Sequence, residues 1–198
     1  MYAHVGFATV TPDALDATVT SACDELLPRM RGQPGLRRFT AVVSCPASLI
    51  ALSGWDTRAQ ATLAAEVFAS WARTSLGQSV TSVEHHLGEV ILLHGETAPD
   101  RAPHFGVVRV ATPNPDAPDL TAKDRAELLP LFDRQPGFNE RATIRTDDGR
   151  EVRFIGWDSE ELYEQEHPIR EWARRNIAPH MSNTAVYKGA IAWTVRNE

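Results

Sequence analysis

The sequence predicts an α+β chain made of two successive copies of one βαββαβ unit, and three observations carry that prediction. The first is length: 198 residues make one ordinary domain or two small ones at roughly 100–200 residues per domain. The second is an internal repeat. His4-Val5-Gly6 matches His104-Phe105-Gly106, Gln33-Pro34-Gly35 matches Gln135-Pro136-Gly137, and Gly54-Trp55-Asp56 matches Gly156-Trp157-Asp158. Glu25-Leu26-Leu27-Pro28 likewise matches Glu127-Leu128-Leu129-Pro130, and Trp71-Ala72-Arg73 matches Trp172-Ala173-Arg174. The offset is 100 at the start, 102 in the middle and 101 at the end, and four of the five tryptophans fall in matched pairs. A period near 100 exceeds the roughly 20–50 residues of a solenoid unit and suits a duplicated small domain. The third observation is that the hydrophobic period alternates between strand and helix in the same order in both copies.

In the first copy, His4 to Val10 is a β-rich run. Pro12-Asp13 opens a helix whose apolar positions, from Leu15 to Met30, recur at helical spacing until Gln33-Pro34-Gly35 stops it. Leu36 to Ser44 and Ser48 to Trp55 form a hairpin around Cys45-Pro46-Ala47. Asp56-Thr57 caps a helix reaching about Leu76, and Val80 to His94 is the last strand. The second copy reads as strand His104 to Ala111, a Pro-rich insertion from Thr112 to Asp119, and helix Leu120 to Arg134. Strands Phe138 to Thr146 and Glu151 to Trp157 follow, joined through Asp147-Asp148-Gly149. Ser159-Glu160-Glu161 caps the next helix, which His167-Pro168 should kink or restart. Thr184 to Val195 is the final strand.

The copies are expected at 1–95 and 104–198, with a polar, Pro-containing linker at 96–103. The order βαββαβ is the ferredoxin-like split unit, with helices on one sheet face only. Its bare face needs a cover, so the two units are expected to pack sheet to sheet as an intramolecular pseudo-dimer with a larger core than either copy alone.

Composition narrows the functional classes. Apolar residues are 42% and charged residues 23%, close to globular averages. No apolar run approaches the roughly 18 residues of a membrane helix, and Met1-Tyr2-Ala3-His4-Val5 does not look like a leader. Two cysteines do not make a disulfide scaffold. A cytoplasmic, soluble protein without a membrane partner is expected. A net charge of −6 argues against nucleic acid. His85 and His86 are adjacent in a strand and point to opposite faces, so they do not chelate one metal, and no zinc spacing or Gly-rich phosphate loop is present. Cys23 lies on an apolar helix face and Cys45 in a turn, with nothing nearby that suggests catalysis.

The residues then resemble a known family. Gln-Pro-Gly after the first helix, Trp closing the third strand and a polar helix start are its carriers. Trp157-Asp158-Ser159-Glu160-Glu161-Leu162 leads to His167 ten residues after the Trp. The chain resembles the antibiotic biosynthesis monooxygenase family of the dimeric α+β barrel superfamily over both copies. The resemblance implies a cofactor-independent monooxygenase that oxidises an electron-rich phenolic, quinol or polyketide-type aromatic with O2, the substrate supplying the electrons. The alternatives on the same fold are a non-redox polyketide cyclase and a non-catalytic module that binds a small aromatic. Haem-degrading relatives carry an asparagine on the first strand, whereas Phe105 to Val110 has none. Further association of the fused pair stays open.

Within that reading His167 is the candidate base, since histidine titrates near neutrality; the alternative is a helix-surface residue before a proline. Trp157 would wall an aromatic substrate, or else pack in the core like Trp55. Tyr187 would hydrogen-bond a substrate oxygen, or merely pack with its hydroxyl at the edge, and Asn139 is a further polar substrate-binding candidate, or else a solvated residue. Arg174 would hold a carboxylate or phenolate, or make surface ion pairs. His104 would sit on a pocket floor, or be a structural pair with His4. The first copy has Ala65-Glu66 where the second has His167, so the site is expected mainly in the second copy.

Overall fold

The computed structural model describes residues 1–95 and 102–197. The chain forms two compact units: Met1–Val90 together with the residues from Lys188 onward, and Ile91–Tyr187. These units are not cut where the sequence copies are. The last strand of the second copy finishes in the first unit, and the end of the first copy's last strand belongs to the second. Residues 96–101 of the expected linker lie outside the described residues.

The first unit contains β1 (Tyr2–Val10), β2 (Leu36–Ser44), β3 (Ser48–Trp55), most of β4 (Val80–His94) and the end of β8 (Met181–Arg196). Its strands are antiparallel in the order β4-β1-β3-β2-β8. Helix α1 runs through Leu15–Ser21, Ala22–Leu26 and Leu27–Arg31, with a π-helical middle. Helix α2 is Arg58–Trp71. A reciprocal cap starts it: the Thr57 hydroxyl accepts from the Gln60 N–H at 3.3 Å, and the Gln60 Oε1 accepts from the Thr57 N–H at 3.0 Å. Its buried stripe, Ala61, Ala64, Ala65, Phe68 and Trp71, packs with Leu26, Met30, Phe39 and Trp55 into one closed core.

The second unit contains β5 (Phe105–Pro113), β6 (Phe138–Thr146), β7 (Glu151–Trp157), the start of β8 and the end of β4, in the order β8-β5-β7-β6-β4. Helix α3 runs through Thr121–Lys123, Asp124–Leu128 and Leu129–Phe132, again with a π-helical stretch. The restart expected at His167-Pro168 is observed as a break between α4 (Glu160–Glu164) and α5 (His167–Asn176), with the proline in the first turn, where its missing N–H costs nothing. Phe105, Val107, Phe132, Ile155, Trp157 and Ile169 form the core.

The α+β class and the antiparallel strands are therefore as expected, and the strand bounds agree closely with the sequence reading. The repeated motifs also acquire a mechanical reason. Gly35 and Gly137 take φ of +80° and +76°, which side chains avoid. Each carbonyl accepts the N–H of the aspartate in Gly-Trp-Asp, Asp56 at 3.0 Å and Asp158 at 2.8 Å. Gln-Pro-Gly and Gly-Trp-Asp are thus two sides of one clasp.

One alignment in the repeat is corrected by the strand register. Trp55 lies opposite Tyr2 on β1, and Trp157 lies opposite Phe105 on β5. Position for position, Ala3 and not Gly6 stands where Gly106 stands, and His4 corresponds to Val107. The match of His4-Val5-Gly6 to His104-Phe105-Gly106 is three residues out of register. An odd shift exchanges the two sheet faces. Among the described residues no helix is long and apolar enough to cross a membrane.

Candidate active site

With the register fixed, the helix-facing side of the two sheets can be compared. On the first unit that surface carries Gly6, Phe39, Leu49 and Ala51. The positions with the same strand partners in the second unit are Arg109, Arg141, Glu151 and Arg153. A surface that is apolar in one unit is charged in the other. The helix above it changes in step: in the first unit Phe68 fills the space over Gly6, whereas a cavity of about 370 Å³ opens in the second.

That cavity lies wholly in the second unit. Arg109, Arg141, Glu151 and Arg153 of the sheet border it, Leu128 and Phe132 come from α3, and Ile169, Arg170, Ala173 and Arg174 from α5. A second hollow of about 240 Å³ shares Glu151, Arg153 and Met181 with it and adds Asp124 and Thr143.

Glu166 is the buried acid of the cavity. Gln165 and Glu166 join α4 to α5, and Glu166 is the N-cap of α5 without a side-chain cap bond, so its carboxylate is free to turn inward. It is 1% exposed. Its Oε1 accepts from Arg170 Nε at 3.2 Å and lies 3.8 Å from Arg109 Nη2, while Oε2 has no hydrogen-bond partner. Burial pushes its carboxyl above the usual range, against the opposing pull of Arg170 and Arg109.

The arginines follow one pattern. Arg141 is bound to Asp124 through Nη2, lies 5.4 Å from the centre of the Phe132 ring and is almost wholly buried. Arg153 donates to Glu151 through Nη2 at 2.6 Å. Yet Arg109 Nε, Arg141 Nη1 and Arg153 Nε are buried without a hydrogen-bond partner. An unmet buried donor costs about 1–3 kcal/mol. Arg109 also stands directly opposite Arg153 across β5 and β7, an unfavourable pairing of like charges. The cavity therefore holds anion-binding capacity that its own carboxylates do not exhaust.

The residues expected from sequence are distributed as follows. Arg174, exposed on α5, borders the cavity. His167 is exposed as the first residue of α5 and does not border it; its neighbour Glu166 does. Trp157 is fully buried between Phe132, Phe138 and Tyr163, in the core position. Asn139 donates to the Gly137 carbonyl at 2.9 Å and to Asp158 at 2.7 Å, and so braces the clasp. His104 is exposed, and its backbone N–H donates to the Trp157 carbonyl at 2.9 Å. Tyr187 is half-buried on β8, away from the cavity lining. Sequence reasoning missed Glu166, Arg109, Arg141 and Arg153. The signal was there: the second copy has Arg141 on β6 and Glu151 and Arg153 on β7 where the first copy has Phe39, Leu49 and Ala51. No cluster of three metal-ligating side chains is found among the described residues, and the cavity lining offers no imidazole to a haem iron.

No family model matches the chain, and no curated protein matches it. Solved structures do. A protein of Fusobacterium nucleatum subsp. nucleatum assigned as a monooxygenase has a TM-score of 0.79, with 8% identity, over 99% of this chain and 94% of that one. An anthrone oxidase-like protein gives 0.72 at 16% identity, over 98% and 92%. This chain shares its fold with these structures. A mutant chlorite dismutase of Candidatus Nitrospira defluvii gives 0.60 at 14% identity, over 96% and 90%. Structures named for different chemistries thus share this fold, and function has to be argued from the site.

Proposed function

We propose that the chain is a cofactor-independent monooxygenase that oxidises an electron-rich phenolic or anthrone-type aromatic with O2 in the cavity of the second unit. The observation that carries this reading is the exchange of Gly6, Phe39, Leu49 and Ala51 for Arg109, Arg141, Glu151 and Arg153 beneath a cavity whose wall also includes Leu128, Phe132, Ile169 and Ile177. We also read the halves as duplicated ferredoxin-like copies, supported by the matching orders β4-β1-β3-β2 and β8-β5-β7-β6. One copy keeps a closed core and the other carries the site.

Glu166 is the base. A carboxylate whose affinity for protons is raised by burial takes a proton from a phenol or an activated methylene more readily than an exposed one. The arginines stabilise the resulting oxyanion in a low-dielectric setting. The anion passes one electron to O2, and the carbon radical and superoxide combine to form a C–O bond. Protonation by Glu166 gives a hydroperoxide. Loss of water, breaking the O–O and the remaining C–H bond, leaves a ketone. One oxygen atom enters the product and the other leaves in water, with the substrate as the sole reductant.

The test is O2 uptake by purified protein with anthrones, hydroquinones and naphthols, against controls without enzyme. Uptake above control that falls about 10²–10⁴-fold in Glu166→Gln is the expected result. Uptake that survives Glu166→Gln unchanged removes the base, and a substrate converted without O2 consumption overturns the oxygenase reading in favour of a cyclase.

A further inference from the structure

We propose that the molecule this cavity receives is an aromatic carboxylic acid, its carboxylate seated on Arg141 and Arg153. The inference deepens the reading above and rests on it for the place of the site, but not for the oxygen chemistry. Five arginines border the cavity against two glutamates. Asp124 holds Arg141 from outside the lining, and Glu164 holds Arg170 at 3.1 Å. Each of these acids already holds an arginine through Nη2. Arg109 Nε, Arg141 Nη1, on a side chain 2% exposed, and Arg153 Nε stay buried without partners, as do the acceptors Glu166 Oε2 and Asp124 Oδ1. Arg141 lies opposite Ile155, two residues along β7 from Arg153, so both guanidinium groups rise from the same sheet face as diagonal neighbours. Guanidinium N–H groups match the planar, two-oxygen geometry of a carboxylate. The remaining wall, from Leu128, Phe132, Ile155, Ile169 and Ile177, suits an apolar ring system. A neutral aromatic offers these charged donors only a neutral acceptor, whereas a carboxylate offers a charged one.

The experiment is anaerobic calorimetric titration with 1-hydroxy-2-naphthoate, its methyl ester and 1-naphthol. Without O2 the readout is binding alone, so failure of the oxygenase chemistry cannot be mistaken for failure of this inference. The wild type is expected to bind the acid at least about tenfold more tightly than the ester or the naphthol, as losing a charge-assisted bond implies. The preference should collapse in Arg153→Met. It should collapse equally in the double variant Arg141→Met with Asp124→Asn, which leaves no buried carboxylate stranded, with native circular dichroism confirming that both variants fold. Equal affinity for acid and ester, binding of none of the three, or a preference that survives in both variants would each overturn the proposal. Acid-selective binding without O2 uptake would uphold it while removing the oxygenase reading.

Discussion

The ring of Phe68 covers Gly6 so closely that a Cβ on the glycine would come within 2.8 Å of three ring carbons. The corresponding strand position of the second unit is Arg109, which sits 3.8 Å from Glu166. One pair closes a core and the other opens a site. Phe68 is fully buried and packs against Trp71 at 5.7 Å, so it cannot yield. Gly6→Ala should lower stability by about 1–3 kcal/mol through overpacking, read as a lower urea midpoint at unchanged slope. A midpoint equal to wild type would mean that the ring is not held there.

His4 shares that core. It is fully buried, neither ring nitrogen has a hydrogen-bond partner, and burial, with lesser contributions from His85 and His86, pushes its pKa from 6.5 down to about 3. A depressed folded-state value means that the unfolded chain binds the proton more readily. The neutral imidazole's contribution is therefore intact above pH 6.5 and is lost as pH falls towards 3. The expected slope over that window is about 1.4 kcal/mol per pH unit. Chemical denaturation of wild type and His4→Phe at several pH values measures it. An acid slope that persists undiminished in His4→Phe would place the loss elsewhere.

Glu166 has the opposite sign. Its carboxyl is raised by burial, so ionising it costs the folded state more than the unfolded one. The penalty is absent below the ordinary carboxylate range and grows as pH rises through the raised folded-state value. Relative to wild type, Glu166→Gln should be more stable at pH 7 than at pH 4. Melting curves of the two proteins at both pH values give this difference directly, and a Gln variant that gains nothing on moving to pH 7 would contradict it.

Turnover should separate two neighbouring side chains. Glu166 borders the cavity and His167 is exposed beside it. With any substrate found by O2 uptake, His167→Ala should keep kcat/KM within about threefold of wild type while Glu166→Gln loses about 10²-fold or more. The reverse order would return the base to His167.

Asn139 should act on folding alone. Its two bonds to the Gly137 carbonyl and Asp158 brace the turn that precedes β6. Asn139→Ala should cost about 1–2 kcal/mol and leave activity per folded molecule unchanged. A fall in kcat at constant folded fraction would give it a part in the chemistry.

Much of the fold is visible in the amino-acid pattern because periodicity and turn residues act locally. Gln-Pro-Gly stops a helix wherever it stands, and strands such as Leu36–Ser44 and Glu151–Trp157 announce themselves by β-branched and aromatic content. Two things were hidden. The alignment of His4 with His104 followed a three-letter coincidence, whereas register is set by pairing against Trp55 and Trp157, which only the folded chain reveals. Arg109, Arg141 and Arg153 look like outward-facing strand residues because charge normally faces water. They border a cavity whose wall Phe132, Ile169 and Ile177 supply from segments distant in sequence. His167 drew attention as the titratable residue, but the helix break beside it turned Glu166 inward instead.

Strand β8 carries a consequence for how the chain is made. Its residues from Gly189 to Arg196 pair with Ser44 to Arg38, and Gly189 lies so close to the Val43 carbonyl that no side chain fits between them. A ribosome delivers β2 well before β8. Throughout synthesis the first unit waits with one row of peptide groups unsatisfied, an open edge that invites strands from other chains. Native pairing completes that edge only when β8 arrives, so removing Gly189 to Arg196 would injure the unit that holds β2.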